Sequence, residues 1–147
     1  MNDLHYTTKL IYIAAPLFDE ESLEVIKKIE NLIDSRSGED FFSPREFGVI
    51  KGEEMTPNRM KRIFDMNIRM LEECDKMIAV TDNYDPGTIF ELGYAYAYEN
   101  MPIITYSPQG YGANVMLKHA IQFHCKDMDE LRNALNGIGD NLLEVVE

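Results

Sequence analysis

Lys9-Leu10-Ile11-Tyr12-Ile13-Ala14 is an apolar, β-branched run with no polar alternation after Lys9, the pattern of a strand buried on both faces. A strand covered on both faces needs helices on either side of it. Downstream, Glu20 to Asp34 sets Leu23, Ile26, Ile29 and Ile33 at helical spacing with charges between them, and Ser35 to Asp40 reads as the following loop. Phe41 and Phe42 suggest a short second strand. Thr56 before Pro57 is a helix start, because a hydroxyl can cap free N–H groups and proline is tolerated in a first turn; that helix should run to about Glu73. Lys76 to Thr81 is a further buried strand, Thr88 to Glu99 a helix closed near Asn100 and Pro102, and Ile103 to Tyr106 a fourth strand. Asn114 to Gln122 and Asp127 to Leu135 are shorter helical segments, with a fifth strand around Phe123. Strands alternating with helices in this way predict an α/β chain: one domain over 1–147, frayed over 1–8, with a flavodoxin/Rossmann-like parallel five-stranded sheet and helices on both faces.

A chain of 147 residues suits one compact domain, and 45% hydrophobic with 27% charged residues is ordinary for a globular protein. No signal-peptide pattern opens the sequence, and the longest apolar stretch, Leu10 to Phe18, is about half a membrane span. A cytoplasmic protein with no membrane partner is expected. Cys74 and Cys125 form no CxxC pattern and read as reduced packing thiols. The 14 basic and 26 acidic residues give a net charge of −12, with no basic cluster of the kind a phosphate backbone requires, so nucleic acid polymers are poor partners.

In parallel α/β sheets the ligand lies beyond the carboxyl ends of the strands, here Ala14 to Phe18, Ser43 to Glu46, Asp82 to Thr88 and Ser107 to Asn114. No GxGxxG follows the first strand and no GxxxxGK[ST] occurs, which removes the dinucleotide and P-loop readings. Ala14-Ala15-Pro16 stands where a phosphoacceptor receiver would carry acidic residues.

The chemically richest stretch is Asp82-Asn83-Tyr84-Asp85-Pro86-Gly87-Thr88-Ile89-Phe90-Glu91-Leu92-Gly93-Tyr94-Ala95. Thr88 and Glu91 fit a capping box, with Glu91 at the third helical position. The same placement would put Glu91 at the positive end of the helix dipole, favouring its ionised form, as a nucleophile attacking an anomeric carbon requires. The residues alone leave both readings open. Asp65, by itself, reads as a surface residue paired with Arg62 or Arg69. Asn67, in line with Met60, Ile63, Phe64, Met70 and Leu71, should be buried, hydrogen-bonded and structural. Asp85 fits an Asp-Pro-Gly turn; Tyr12 and Phe18 fit strand and core aromatics.

Taken together, Tyr12-Ile13-Ala14-Ala15-Pro16-Leu17-Phe18, Asp65-Met66-Asn67, Asp85-Pro86-Gly87-Thr88-Ile89-Phe90-Glu91-Leu92-Gly93-Tyr94-Ala95 and Asn114-Val115-Met116 resemble, in order and spacing, the nucleoside 2-deoxyribosyltransferases. That resemblance implies a double displacement without cofactor or metal. Glu91 would attack C1′ of a 2′-deoxynucleoside and hold the sugar covalently until a free nucleobase arrives, the retaining-glycosidase logic with a base in place of water. It also implies that Asp65 holds the base and passes a proton, Asp85 binds sugar hydroxyls, Tyr12 orients the nucleophile and Phe18 stacks on the base. Asn114 and Met116 would reach the site of a neighbouring subunit in a dimer-based homo-oligomer. The chain departs from some members at Leu17, where they carry tryptophan.

Two other readings stay open. A nucleoside 5′-monophosphate N-glycosidase would use the same glutamate, with Ser107 or Arg45 near the phosphate, although a carboxylate at Asp85 would repel it. A non-catalytic nucleoside-binding domain would have no need of a nucleophile.

Overall fold

The computed structural model describes residues 8–17, 19–44 and 54–141. Among them lie strands β1 (Lys9–Ala14), β2 (Glu39–Phe42), β3 (Lys76–Val80), β4 (Ile103–Tyr106) and β5 (Phe123–Cys125), and helices α1 (Glu20–Asp34), α2 (Pro57–Glu73), α3 (Pro86–Tyr94), α4 (Val115–Ala120) and α5 (Met128–Leu135). Every strand pairing is parallel and the order is β2-β1-β3-β4-β5, the flavodoxin-like arrangement. The order reverses between β1 and β3, which makes their carboxyl ends the expected ligand edge.

Side chains of β1 alternate between two cores. Ile11 and Ile13 pack with Ile26, Ile29 and Ile33 of α1 and Leu131 of α5 on one face. Tyr12 and Ala14 pack on the other with Leu71 of α2, Leu92 of α3 and Ile121. Each fully buried Ile or Leu contributes on the order of 2 kcal/mol, so both faces hold the sheet in place. Cys74 and Cys125 are buried free thiols, one in each core.

Each of these helices begins at a side-chain cap, which fixes where the following loop ends. Asp19, Thr56, Asp85, Asn114 and Asp127 accept from backbone N–H groups three residues on, at 2.7, 3.2, 2.9, 3.1 and 2.8 Å.

Several boundaries differ from the sequence reading. β2 starts at Glu39, inside the stretch read as loop, because its backbone pairs with Lys9 and Leu10 of β1. α3 starts at Pro86 and not at Thr88, since Asp85 is the cap and proline takes the first helical position. Beyond Tyr94 the α-helix gives way to a π-helical turn, Ala95–Glu99, closed by Asn100 in the left-handed region (φ 49°). Phe18, Arg45, Glu46 and residues 1–7 of the stretch expected to be frayed lie outside the described residues.

Candidate active site

Tyr12 stands in the middle of β1 on the face shared with α2 and α3, fully buried, its ring tilted against Phe42 at 5.3 Å between centroids. Its hydroxyl donates to Oε2 of Glu91. Burial and the neighbouring Glu91 carboxylate push the phenol far above its ordinary range, so Tyr12 stays protonated and remains a donor.

Glu91 is the sixth residue of α3 and half-buried. Burial raises its carboxyl to about 7; the Tyr12 hydrogen bond pulls it down, and the nearby negative charge of Asp85 pushes it up. The capping-box expectation is therefore corrected. The Thr88 N–H and hydroxyl both bond Asp85 Oδ2, at 2.9 and 3.0 Å, and Glu91 lies beyond the first turn, where the dipole has faded. Desolvation, rather than the helix end, sets the ionisation of Glu91, in the direction opposite to that expected.

Glu91 opens onto a cavity of about 440 Å³ between α2 and α3. Met60, Ile63, Phe64, Asn67, Ile68 and Leu71 line it from α2, Gly87 and Phe90 from α3, with Met55 before α2. Phe64 and Phe90 face each other at 6.0 Å and remain half-exposed at the rim. Apart from Glu91, Asn67 supplies the one polar side chain among these lining residues.

Asn67 is another correction. It is half-buried, and its amide meets no hydrogen-bond partner among the described residues, so it faces the cavity instead of supporting the site from beneath. Asp65, two residues earlier, points elsewhere. Its exposed carboxylate pairs with Lys61 at 2.8 Å, not with Arg62 or Arg69, and it is absent from the described cavity wall. Arg69 pairs with Glu73 instead. Asn114 is exposed and caps α4, and Met116 is 74% exposed on the same helix; neither lines the cavity.

Sequence reasoning missed the loop lock beside the site. Asp82, at the end of β3, is buried and accepts from the Ser107 hydroxyl at 2.5 Å and from the Gln109 N–H at 3.3 Å. The Tyr111 N–H donates to Ser107 Oγ at 2.7 Å, and the Tyr111 hydroxyl to Asn83 Oδ1 at 2.7 Å. Tyr84 donates to the Gly112 carbonyl and packs edge-on against Tyr111. These bonds hold Asn83 (φ 63°) and Tyr84 (φ 47°) left-handed, a conformation that costs a tyrosine about 1–3 kcal/mol. Tyr84, the last residue it holds in this segment, immediately precedes Asp85, the cap of α3. Among the described residues no group of three His, Cys, Asp or Glu could hold a metal ion, and no helix is long and apolar enough to cross a membrane.

A family model described as nucleoside 2-deoxyribosyltransferase matches residues 11–142. Among solved structures, the 2-deoxyribosyltransferase of Bacillus psychrosaccharolyticus superposes with a TM-score of 0.76 at 29% identity, over 84% of this chain and 90% of that one. The CMP N-glycosidase of Clostridium botulinum shares the fold, with a TM-score of 0.58 at 19% identity over 88% and 100% of the two chains. So does a conserved protein of Enterococcus faecalis, with 0.57 at 19% over 91% and 92%. No curated protein matches the chain.

Proposed function

Because the chain belongs to the nucleoside 2-deoxyribosyltransferase family, we propose that it exchanges the base of 2′-deoxynucleosides for a free nucleobase by double displacement at Glu91. The observation that carries this reading is the Tyr12–Glu91 hydrogen bond at the edge of an apolar cavity. A carboxyl held near 7 is ionised in a useful fraction at neutral pH, and Tyr12 fixes one of its oxygens so that the other, Oε1, is directed at substrate.

In the first step Oε1 forms a bond to C1′ as the C1′–N bond breaks, and the electron pair leaves with the base, which takes up a proton. The oxocarbenium-like transition state is stabilised by the ionised carboxylate. In the second step a nitrogen of the acceptor base attacks C1′ as its proton passes to Asp65, and the C1′–O bond breaks with its electron pair returning to Glu91, with overall retention. Asp85 binds the sugar hydroxyls through its carboxylate, and Phe18 stacks on the base. Asp65 passes the proton once it has exchanged Lys61 for the base. Asn114 and Met116 complete the site of a neighbouring subunit in a homo-oligomer, which would give their exposure a purpose. Nucleoside salvage in the cytoplasm is the setting such a reaction suits.

The monophosphate hydrolase reading loses one of its supports. Ser107 is fully buried and gives its hydroxyl to Asp82, so it has no proton left for a phosphate.

Chromatography after incubation with deoxyinosine and adenine tests the proposal. Deoxyadenosine is expected from the wild-type protein and not from Glu91→Ala. Hypoxanthine released from deoxyinosine monophosphate, without exchange, would establish the hydrolase instead, and no turnover of purine or pyrimidine donors would leave a binding domain.

A further inference from the structure

We infer that Asn67 is the specificity-determining residue that reads the exocyclic edge of the base, an inference resting on the transferase reading above. Among the described residues, the cavity beside Glu91 is otherwise walled by apolar side chains and one glycine, and a base entering it loses water from its polar edge. Among the described residues, Asn67 carries the lining's one uncharged polar side chain, and its amide has no hydrogen-bond partner. It therefore has both a donor and an acceptor to offer a ligand.

An amide suits more than one base. Toward adenine it can accept from the 6-amino group and donate to N7; toward a 6-oxo purine it can donate to O6 or N7. Asn67 thus admits 6-amino and 6-oxo purines alike. An ionised carboxylate in its place could only accept, which suits the amino base and sets lone pair against lone pair at O6.

The test is a competition. Adenine and hypoxanthine are supplied together as acceptors, with deoxyguanosine as donor, and the ratio of deoxyadenosine to deoxyinosine is read. Both products arise from the same sugar-bearing enzyme, so a variant's loss of folded or active protein cancels from the ratio. Asn67→Asp, assayed well above the ordinary carboxylate range, is expected to move the ratio toward deoxyadenosine by about tenfold or more. Asn67→Leu, which removes donor and acceptor together, is expected to raise KM for both acceptors more than it lowers kcat. An Asn67→Asp ratio equal to that of the wild type would overturn the inference while leaving exchange intact. Absence of both products from the wild-type protein would overturn the transferase reading itself.

Discussion

The phenol of Tyr12 on β1 donates to the carboxylate of Glu91 on α3 across 79 residues of chain, and this bond opposes the burial that raises Glu91 to about 7. Removing it leaves burial and the charge of Asp85 without their counterweight.

Tyr12→Phe is accordingly expected to raise the carboxyl of Glu91 above 7. The nucleophile must be ionised, so the acid limb of the rate profile should move to higher pH. The loss at neutral pH should be about ten- to a hundredfold, from a hydrogen bond to a charged group worth about 1.5–3 kcal/mol. A profile of kcat/KM against pH checks this, and an unmoved limb would mean that another group titrates.

Glu91→Gln should make the protein more stable in alkaline solution. A carboxyl whose folded value lies above its unfolded one binds more protons folded than unfolded between about 4.5 and 7, so folding loses stability as pH rises through that window. Above it the cost is constant, on the order of 2 kcal/mol, discounted because Glu91 keeps some contact with solvent. Denaturant unfolding of variant and wild type should show this difference above pH 7 and none well below 4.5.

At Asp85, Ala and Asn should act differently. Asp85→Ala removes the cap from the Thr88 N–H and should cost about 1 kcal/mol with lowered activity. Asp85→Asn keeps a capping oxygen but removes the charge that raises Glu91, so the acid limb should move to lower pH. Unfolding curves and rate profiles of the two variants separate cap from charge.

Ser107→Ala should lower Tm by several degrees with little change in the secondary structure. It strips the buried Asp82 of one donor and the Tyr111 N–H of its acceptor, a penalty of about 1–3 kcal/mol. Thermal unfolding measures it; an unchanged Tm would mean that Asp82 has found another donor.

Much of this architecture was legible in apolar runs, because strands covered on both faces have a distinctive composition. The sequence reading starts α3 at Thr88 and takes Asp85 for a turn, whereas Pro86 marks the first helical position and so points to Asp85 as the cap. The stripe Met60, Ile63, Phe64, Asn67 and Leu71 was readable as one face of a helix, but periodicity does not distinguish a face that meets core from one that meets a cavity. Only Leu71 of that stripe is buried. The Asp82–Ser107 bond spans 25 residues and depends on how β3 and β4 are aligned, which no local pattern records. The ionisation of Glu91 escapes the sequence for a related reason: it depends on what covers the side chain.

Tyr12 lies opposite Phe42 on one neighbouring strand and Met77 on the other. Side chains along a strand alternate faces, so a slip of β1 by a single residue would turn the phenol toward α1 and set an isoleucine beneath Glu91. Such a chain could remain compact and rich in sheet, yet its carboxylate would lack a donor. Turnover therefore reports strand registry: after refolding, the active fraction counts the molecules that have paired β1 correctly, which circular dichroism would not distinguish.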